Sequence, residues 1–327
     1  MDHIFLTGAT GLIGSNIAEQ LRARGDGVRA LVREGSDAGD LEALGVEIVR
    51  GDISNAEAVL RAAEGCRYAI HSAAVLGGAS QELSEHEAVN VRGASHVFDA
   101  AAKLGIERVV ALNTTTFFEA SSAPLSEHSP LDPAPSTDPY TVTKRLAFLD
   151  AMDRAQAGQD VCVMVCGGAY GPAPLAARAM VAPSFNQRAA AAIEGSLEAN
   201  VAFPIPWVYA GDVAQASIAA LTRGVSGERY LAFGRVEDVR SMPFFCNKAC
   251  EIADVPHRVA EITAADLDAR PELEAEFGPS LVALLRKRFP EPFFEYSQTV
   301  ERLDYQPLSL DEGMDRTVTW LREQGFV

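Results

Sequence analysis

Tyr140 and Lys144, which stand four positions apart directly after Pro139, could carry acid–base chemistry. In a helix this spacing places both side chains on one face, about one turn apart. A tyrosine hydroxyl normally keeps its proton up to a pH of about 10. A lysine ammonium one turn away favours the phenolate. We therefore expect Lys144 to lower the pKa of Tyr140 and to make it a usable general acid or base.

Thr114 is the candidate for a hydroxyl that works beside Tyr140. It belongs to the run Asn113-Thr114-Thr115-Thr116, which follows a predicted strand from Arg108 to Leu112. A hydroxyl at the end of a strand can hold a substrate carbonyl or alcohol oxygen next to the tyrosine. The alternative, in which threonines only satisfy the backbone of a loop, is reasonable for two of the three.

The start of the chain predicts a binding site for nucleotide phosphates. The uncharged run from Ile4 to Leu6 is typical of a buried strand, and Ser15 to Arg24 has the periodicity of a helix. Between them, Gly8, Gly11 and Gly14 would let the backbone approach a pyrophosphate at the N-terminus of the helix. A tight turn without a ligand is the alternative. No lysine follows Gly14, which excludes the ATP-binding loop GxxxxGK[ST].

Strands and helices alternate through the first half of the chain, which predicts an α/β fold with a doubly wound parallel sheet. We expect residues 1–172, completed by about 200–222, to form a nucleotide-binding domain. Residues 173–199 and 223–327 are expected to form a smaller, mostly helical substrate-binding domain. A long loop over 120–139 precedes Tyr140, and loops of this length are usually functional. The predicted strands are 4–6, 27–32, 46–50, 68–71, 108–112 and 161–166, and the predicted helices are 15–24, 56–63, 85–104, 139–157, 173–192, 212–221 and 310–323.

The composition argues against several classes of partner. A net charge of −17 and a sequence pI near 4.8 disfavour nucleic acid and anionic membranes. No signal peptide is recognisable and no apolar run could span a bilayer, so we expect a cytoplasmic protein with reduced thiols. Cys246 and Cys250 could share a helix face. Nothing completes a metal site around them, and we expect core or surface thiols.

Motifs along the whole chain resemble those of the extended short-chain dehydrogenases/reductases. Within that superfamily, the chain is similar to the dihydroflavonol reductase and hydroxysteroid dehydrogenase branch. The matching elements are Thr-Gly-Ala-Thr-Gly-Leu-Ile-Gly at 7–14, Gly-Asp at 51–52, His71-Ser-Ala-Ala74, Asn90-Val91, Thr114, Tyr140 with Lys144, Tyr170-Gly171-Pro172, Asp212-Val213-Ala214, Tyr305-Gln-Pro307, Leu310, Glu312-Gly313 and Trp320-Leu321.

The resemblance implies roles for the matching residues. Tyr140 would be the general acid/base, Lys144 would tune it and bind the nicotinamide ribose, and Thr114 would orient the substrate oxygen. Asn90 would tie a helix to the sheet rather than touch the substrate. Besides Tyr140 and Lys144, the residues expected at the cofactor are Thr7, Gly8, Thr10, Gly11, Leu12, Ile13 and Gly14 in the glycine segment, Arg33, Asp52 and Ile53 near the adenosine, Ala73 and Ala74 near the pyrophosphate, and Ala169 and Tyr170 near the nicotinamide.

The end of the second predicted strand favours NADP(H) over NAD(H). An acidic residue about twenty positions past the glycines would bond the adenosine ribose of NAD, and this chain has Arg33 at that place. Arg29 lies on the same strand at even spacing and should share a face with Arg33. A guanidinium suits a 2′-phosphate and does not replace the carboxylate. Because Glu34 stands next to Arg33, NAD(H) is the alternative.

Three departures from the superfamily pattern bear on the substrate. Thr114 stands where serine is commoner, and its methyl group narrows the pocket. Phe117-Phe118-Glu119 replaces small residues and Tyr-Gly, which indicates a bulkier, more apolar wall. Val165-Cys166-Gly167-Gly168 lacks the Arg-Pro that often precedes the Tyr-Gly-Pro element. With two arginines among alanine, proline and aromatic residues, the stretch 173–209 favours an uncharged, partly aromatic or alicyclic substrate.

We therefore expect an NADP-dependent carbonyl reductase or alcohol dehydrogenase. A sugar-nucleotide epimerase or dehydratase is the alternative, although Thr115 and Thr116 occupy the places where such dehydratases usually carry an acidic pair. A non-catalytic NADP-binding regulator is a further alternative, but such proteins tend to have lost the Tyr or the Lys that this chain retains. The resemblance also implies a homodimer, in which helices 85–104 and 139–157 pack against the partner.

Overall fold

The computed structural model describes residues 2–119, 122–134 and 136–327. A seven-stranded sheet, parallel throughout, forms its centre. Its strands are β1 (His3–Thr7), β2 (Gly27–Val32), β3 (Glu47–Arg50), β4 (Tyr68–His71), β5 (Arg108–Thr114), β6 (Val161–Cys166) and, later in the chain, β10 (Arg229–Ala232). Their order is β10-β6-β5-β4-β1-β2-β3, so the direction of winding switches between β1 and β4.

Helices cover both faces of this sheet, which confirms the predicted doubly wound α/β fold. One face packs against α1 (Leu12–Ala23) and α9 (Ala210–Arg223). The other packs against α3 (Ala56–Ala63), α5 (Gly93–Leu104) and α6 (Pro139–Gln156). The remaining helices are α2 (Gly39–Ala43), α4 (Leu83–His86) with a π-helical turn (Glu87–Arg92) leading into α5, α7 (Ala176–Ala179), α8 (Phe185–Ile193), α10 (Met242–Ile252), α11 (Ala264–Ala269), α12 (Glu272–Arg286), α13 (Ser297–Leu303) and α14 (Leu310–Glu323).

Local sequence explains why these elements form where they do. All six residues of β6, Val-Cys-Val-Met-Val-Cys, are buried, as expected for a strand covered on both faces. Helix α6 begins at Pro139, whose fixed φ suits the first turn. Asp138 caps this helix by accepting a hydrogen bond from the main-chain nitrogen of Thr141 at 2.8 Å. The helix that carries Tyr140 therefore has a fixed starting point.

The second half of the chain adds two small sheets and its own core. One sheet contains β7 (Gly168–Tyr170), β9 (Ile205–Tyr209) and β11 (Val239–Arg240), and the other pairs β8 (Ala199–Val201) with β12 (Ala260–Ile262). Around the first of them, Trp207 stacks on Phe245 with ring centroids 4.0 Å apart. Strand β10 falls within the stretch 223–327 that the sequence assigned to the substrate-binding part, yet it pairs with β6 in the main sheet.

Residues 293–299, which we call the strap, hold the loop before Tyr140. Leu125 donates its N–H to the carbonyl of Phe293 at 2.9 Å and accepts from the N–H of Glu295 at 2.8 Å. The buried carboxylate of Glu127 accepts two hydrogen bonds from Thr299, from its main-chain nitrogen at 2.9 Å and from its hydroxyl at 2.8 Å. The described part of the predicted loop 120–139 is thus anchored. Its residues 120, 121 and 135 lie outside the described chain.

None of the helices in the described chain is both long and apolar enough to cross a membrane.

Candidate active site

The glycine segment follows β1 at the carboxyl edge of the main sheet. Gly8 has a φ of 74°, and a Cβ there would lie 2.6 Å from the main-chain nitrogen of Ala73. A Cβ at Gly14 would lie 2.1 Å from the carbonyl oxygen of Gly8. Packing inside the protein therefore requires glycine at both positions.

Gly11 differs from its neighbours, because the described polypeptide gives no reason for a glycine there. A Cβ would meet one carbonyl oxygen, that of Gly8, at an ordinary 3.4 Å, and the φ of −85° suits any residue. Gly11 precedes α1, whose first turn carries no acidic side chain. The bare backbone beside a helix N-terminus fits a phosphate group, so the residues present fit the predicted nucleotide cofactor.

Thr7 and His71 join the ends of β1 and β4 beside this segment. Thr7 Oγ1 lies 2.8 Å from His71 Nδ1 and accepts a longer hydrogen bond, 3.3 Å, from the N–H of Ala73. Burial, and secondarily the charge of Lys144, lowers the pKa of His71 to about 3. The imidazole is therefore neutral. Thr7 and Ala73, both predicted at the cofactor, lie together at this edge.

Arg33 stands directly after β2 with an exposed side chain. Its guanidinium makes no hydrogen bond or ion pair with any residue in the described ranges, and Arg50 donates to its carbonyl oxygen at 3.2 Å. Hydrogen bonds from Ser54 lower the pKa of Asp52, and Arg33 adds to this effect, which places these two predicted residues near each other. Arg29, by contrast, pairs with Glu47 at 2.9 Å, so Arg33 is the one that faces outward from β2 without a partner of its own among these residues.

Thr114 and Tyr140, two of the three predicted catalytic residues, meet in the structure. Thr114 ends β5, and its side chain lies beside the phenol of Tyr140, the second residue of α6. Desolvation raises the pKa of Tyr140 to about 12, and the nearby hydroxyl of Thr114 opposes this rise. The phenol is therefore protonated near neutral pH, in the state that a general acid requires.

Lys144 lies one turn further along α6 and contacts the sheet. Its Nζ donates to the carbonyl oxygen of Leu112 at 2.8 Å, two residues before Thr114. Burial lowers the pKa of Lys144 to about 8. The expectation that Lys144 lowers the pKa of Tyr140 is wrong for this arrangement, because burial dominates and moves that pKa upward.

Asn90 holds the chain after β4 against α6. Its side chain accepts from the N–H of Val75 at 2.8 Å and donates to the carbonyl of Val75 at 3.1 Å. It also donates to Thr143 Oγ1 at 3.1 Å. These bonds agree with the prediction that Asn90 is an anchor.

Comparison with known proteins decides the family. Residues 4–232 match the model of the NAD dependent epimerase/dehydratase family. The chain belongs to this family. It is 30% identical to sterol demethylase protein B of Methylococcus capsulatus over 98% of this chain and 99% of that protein. A putative dihydroflavonol 4-reductase of Synechocystis is also 30% identical, over 52% of this chain and 50% of that one. The crystal structure of gox2253 shares the fold with a TM-score of 0.86, full coverage of both chains and 23% identity.

Membership of the epimerase/dehydratase family makes the chain an enzyme of an NAD-dependent superfamily, and the glycine segment remains the predicted nucleotide site. Other residues predicted at this site, Thr10, Leu12, Ile13 and Ala74, are partly exposed at the same edge. Ile53 is buried and packs on Gly93, where a Cβ would lie 3.0 Å from it, so its side chain serves the core.

The structure places three aromatic side chains differently from the predictions. Phe117 and Phe118, expected as an apolar pocket wall, are buried in the core and pack on Phe148 with ring centroids 5.4 Å away in each case. Tyr170 is 2% exposed, and its hydroxyl fills the space at Gly313. Any contact of Tyr170 with a cofactor is therefore left to its main chain, and the neighbouring Ala169 is partly exposed.

Sequence reasoning missed several residues around Thr114 and Tyr140. Cys166 is buried opposite Thr114 in the β5–β6 register, and burial raises the pKa of its thiol to about 12. Gly77 packs against the ring of Tyr140, and the ring of His86 lies edge-on to the same ring with centroids 6.5 Å apart. None of these residues belongs to a motif, so only the folded chain reveals them. Cys246, like the other cysteines, is a buried free thiol, and the described residues contain no cluster suited to a metal ion.

Proposed function

We propose that this chain is an NADP-dependent oxidoreductase that interconverts a ketone and an alcohol on a small, largely apolar alicyclic substrate. The observation that carries the proposal is that the hydroxyl of Thr114 lies beside the phenol of Tyr140, at the carboxyl edge that also holds the glycine segment. The family supplies the general class of chemistry. The remaining steps concern what these side chains do.

A bound nicotinamide cofactor would supply or accept the hydride. Tyr140 would give its proton to the substrate oxygen during reduction and take it back during oxidation. Thr114 would hold the same oxygen by donating its hydroxyl, which fixes the oxygen within reach of the phenol. Lys144, whose Nζ lies at the carbonyl of Leu112, would bind the ribose next to the nicotinamide.

The free guanidinium of Arg33 supports NADP(H) as the cofactor. A 2′-phosphate would meet an exposed arginine at the end of β2, and the carboxylate that NAD would need is replaced. We expect Arg33→Ala to weaken NADPH binding by about tenfold or more and to leave NADH binding unchanged. Arg61→Ala, an exposed arginine on α3, is the matched control. Equal loss of both cofactors in Arg33→Ala would contradict this assignment.

The substrate class rests on apolar side chains at the mouth of the site and on the full-length relative. Leu76 and Val181 are 47% and 50% exposed, and they belong to segments that approach each other where a Cβ on Gly78 would lie 4.0 Å from Pro183. Exposed apolar groups beside a polar catalytic pair suit a ring system with one oxygen function. The relative named sterol demethylase protein B supports an alicyclic substrate of this kind.

The test is NADPH oxidation with a panel of cyclic ketones of increasing size, from cyclohexanone to 3-ketosteroids. We expect reduction by the wild type and none above background by Tyr140→Phe, with NADPH binding retained by the variant. Turnover of UDP- or dTDP-sugars in place of ketones would favour the alternative, a sugar-nucleotide epimerase or dehydratase. Binding of NADPH without any turnover would favour a regulator.

We also propose a homodimer formed through α5 and α6. Leu146 and Leu149 on α6 are 43% and 37% exposed, and Arg154 links the two helices through Asp99 at 2.7 Å. These leucines would be covered by the same face of a second copy. Sedimentation analysis should give a dimer for the wild type and a monomer for Leu146→Glu, whereas Leu284→Glu, on the distant α12, should remain dimeric.

A further inference from the structure

Residues 75–80, which we call the covering loop, join β4 to the helix at 83–104 and cross the face of Tyr140. A Cβ at Gly77 would lie 3.3 Å from Cδ1 of the tyrosine ring, so the loop backbone is in contact with that ring. Gly78 turns the chain with a φ of 82°, and the N–H of Ala79 donates to the carbonyl of Leu76 at 3.1 Å. The loop is therefore a compact wall on the catalytic side chain.

One helix holds both ends of the covering loop. Asn90 holds the first residue, Val75, through both its N–H and its carbonyl. One turn earlier, His86 holds the last residue, because its Nε2 lies 3.1 Å from the carbonyl oxygen of Ser80. His86 is fully buried, and its Nδ1 lies 3.3 Å from the side-chain nitrogen of Asn90.

These partners fix the tautomer of His86. The carbonyl of Ser80 can only accept, so Nε2 must carry the proton and donate it. Nδ1 then faces the amide nitrogen of Asn90, whose two hydrogens are shared among Nδ1, the carbonyl of Val75 and Thr143 Oγ1. Asn90 also donates to Thr143, whose hydroxyl donates to the carbonyl of Pro139 at 2.7 Å. A continuous set of bonds thus connects the end of the covering loop, through His86, to the first turn of the helix that carries Tyr140.

We propose that His86 is a positioning residue for Tyr140, which it acts on by holding the covering loop against the tyrosine ring. This inference rests on the proposed function, because it assigns the loop a part in aligning the phenol with Thr114. With the covering loop in place, the ring cannot move toward the side where Gly77 lies. If Ser80 is released, the loop can move away and the ring gains freedom, which costs alignment in the proton transfer.

The test compares His86→Phe with His86→Gln. Phenylalanine fills the same space without either nitrogen, and glutamine can return an N–H donor to the carbonyl of Ser80. We expect His86→Phe to lower kcat for a cyclic ketone by about tenfold or more, with NADPH binding and KM within about twofold. His86→Gln should recover most of kcat. A kcat for His86→Phe within twofold of wild type would overturn the proposal.

A pH profile gives a readout that a general loss of stability would not change. Burial raises the pKa of Tyr140, so a loosened covering loop should expose the phenol and move that pKa downward. The basic limb of the kcat profile for ketone reduction should therefore shift to lower pH in His86→Phe and return in His86→Gln. An unshifted profile in both variants would count against the loop as the route of action.

Hydrogen exchange separates failure of this proposal from failure of the proposed function. If the wild type reduces no ketone, the enzyme assignment is at fault, and the exchange of the Val75 and Ala79 amides still tests the anchor. Faster exchange of both in His86→Phe, with wild-type rates in His86→Gln, supports the anchor role. Equal rates in all three proteins refute it.

Discussion

The two edges of the main sheet are built from different interactions. At the amino edge, where strands begin, arginines are paired with carboxylates. The pairs are Arg24–Asp26, Arg29–Glu47, Arg67–Asp2, Arg67–Glu107 and Arg108–Asp160, with Arg154–Asp99 and Arg223–Asp304 on the helix ends at the same level. At the carboxyl edge, the described strand ends carry no ion pair. Neutral side chains meet there, such as Thr7 with His71 and Thr114 with Tyr140, and the cations Arg50 and Lys144 donate to main-chain carbonyls.

The difference follows from what each edge has to do. Ion pairs connect neighbouring strands, but the charges in them are no longer free to bind a ligand. A site for an anionic cofactor needs uncommitted N–H groups and a free cation, which the N-terminus of α1 and Arg33 provide. At Tyr140, burial is the main cause of the raised pKa, and the carboxylate of Asp138 adds a smaller upward effect.

Among the variants that compare the two edges, the largest effect on kcat should come from Thr114, at the end of β5. Thr114→Val keeps the shape and removes the hydroxyl that lies beside Tyr140. We expect kcat for ketone reduction to fall about 100-fold, as for loss of one donor to a reacting oxygen, with NADPH binding unchanged. Steady-state kinetics measure this. Thr114→Ser, which keeps the hydroxyl, should stay within a few-fold of wild type, and a valine variant as active as the serine variant would contradict the role.

Two glycines of the same edge separate binding from folding. Gly11→Ala should weaken NADPH binding by about tenfold or more with an unchanged melting temperature, because its Cβ clears the protein but enters the space of a phosphate. Gly14→Ala should lower the melting temperature, because its Cβ would lie 2.1 Å from the carbonyl oxygen of Gly8. Fluorescence titration and thermal unfolding measure the two effects. Unchanged NADPH affinity in Gly11→Ala would contradict the assignment of a phosphate-binding site to this segment.

Asp212, at the start of α9, is a buried carboxylate without an ion pair in the described chain, so its pKa should make the stability of the protein depend on pH. Burial raises its pKa from 3.8 to about 6, although Leu308 donates its N–H to Oδ2 at 2.8 Å. A raised folded-state pKa contributes stability at low pH that is lost as the pH rises through about 6. Asp212→Asn should therefore melt about 2–5 °C above wild type at pH 8, with a difference that shrinks as the pH falls and disappears below about pH 4. A difference that does not depend on pH would contradict this account.

Asp160, at the amino edge, should give the smallest effect. It accepts two hydrogen bonds from Arg108, both of 2.8 Å, in a partly exposed pair. Asp160→Asn should lower the free energy of unfolding by about 1 kcal/mol and leave kcat unchanged, as measured by denaturant unfolding. The matched control is Asp304→Asn, whose 3.7 Å pair with Arg223 is mostly exposed and should cost nothing measurable. A loss of activity in Asp160→Asn would contradict the view that the amino edge contributes to stability and not to catalysis.

The sequence predicted the carboxyl edge better than the parts around it, for physical reasons. Strands 27–32, 68–71 and 161–166 have the predicted bounds, because short, mostly apolar runs that are buried on both faces leave a local signal. Strand β10 was missed, since its four residues become a strand only by pairing with β6. The predicted helix over 173–192 is two helices, α7 and α8, with non-helical residues between them.

In the site, spacing identified Tyr140, Lys144 and Thr114, because motif residues share a helix face or a strand end. Side-chain direction after a strand was not predictable in the same way. Phe117 and Phe118 turn into the core because Phe148 offers them a packing surface, and that surface comes from another helix. The contacts of His86 likewise depend on where the covering loop ends, which no local pattern records.

The strap has a consequence for the order in which the protein becomes functional during synthesis. The residues that hold Leu125 and Glu127, Phe293 to Thr299, come more than 150 residues after Tyr140 in the chain. A nascent chain on the ribosome would acquire the glycine segment and most of the parallel sheet long before this tie exists. Nucleotide binding could thus begin on the growing polypeptide, whereas the loop that leads to Tyr140 is secured only after the strap has emerged.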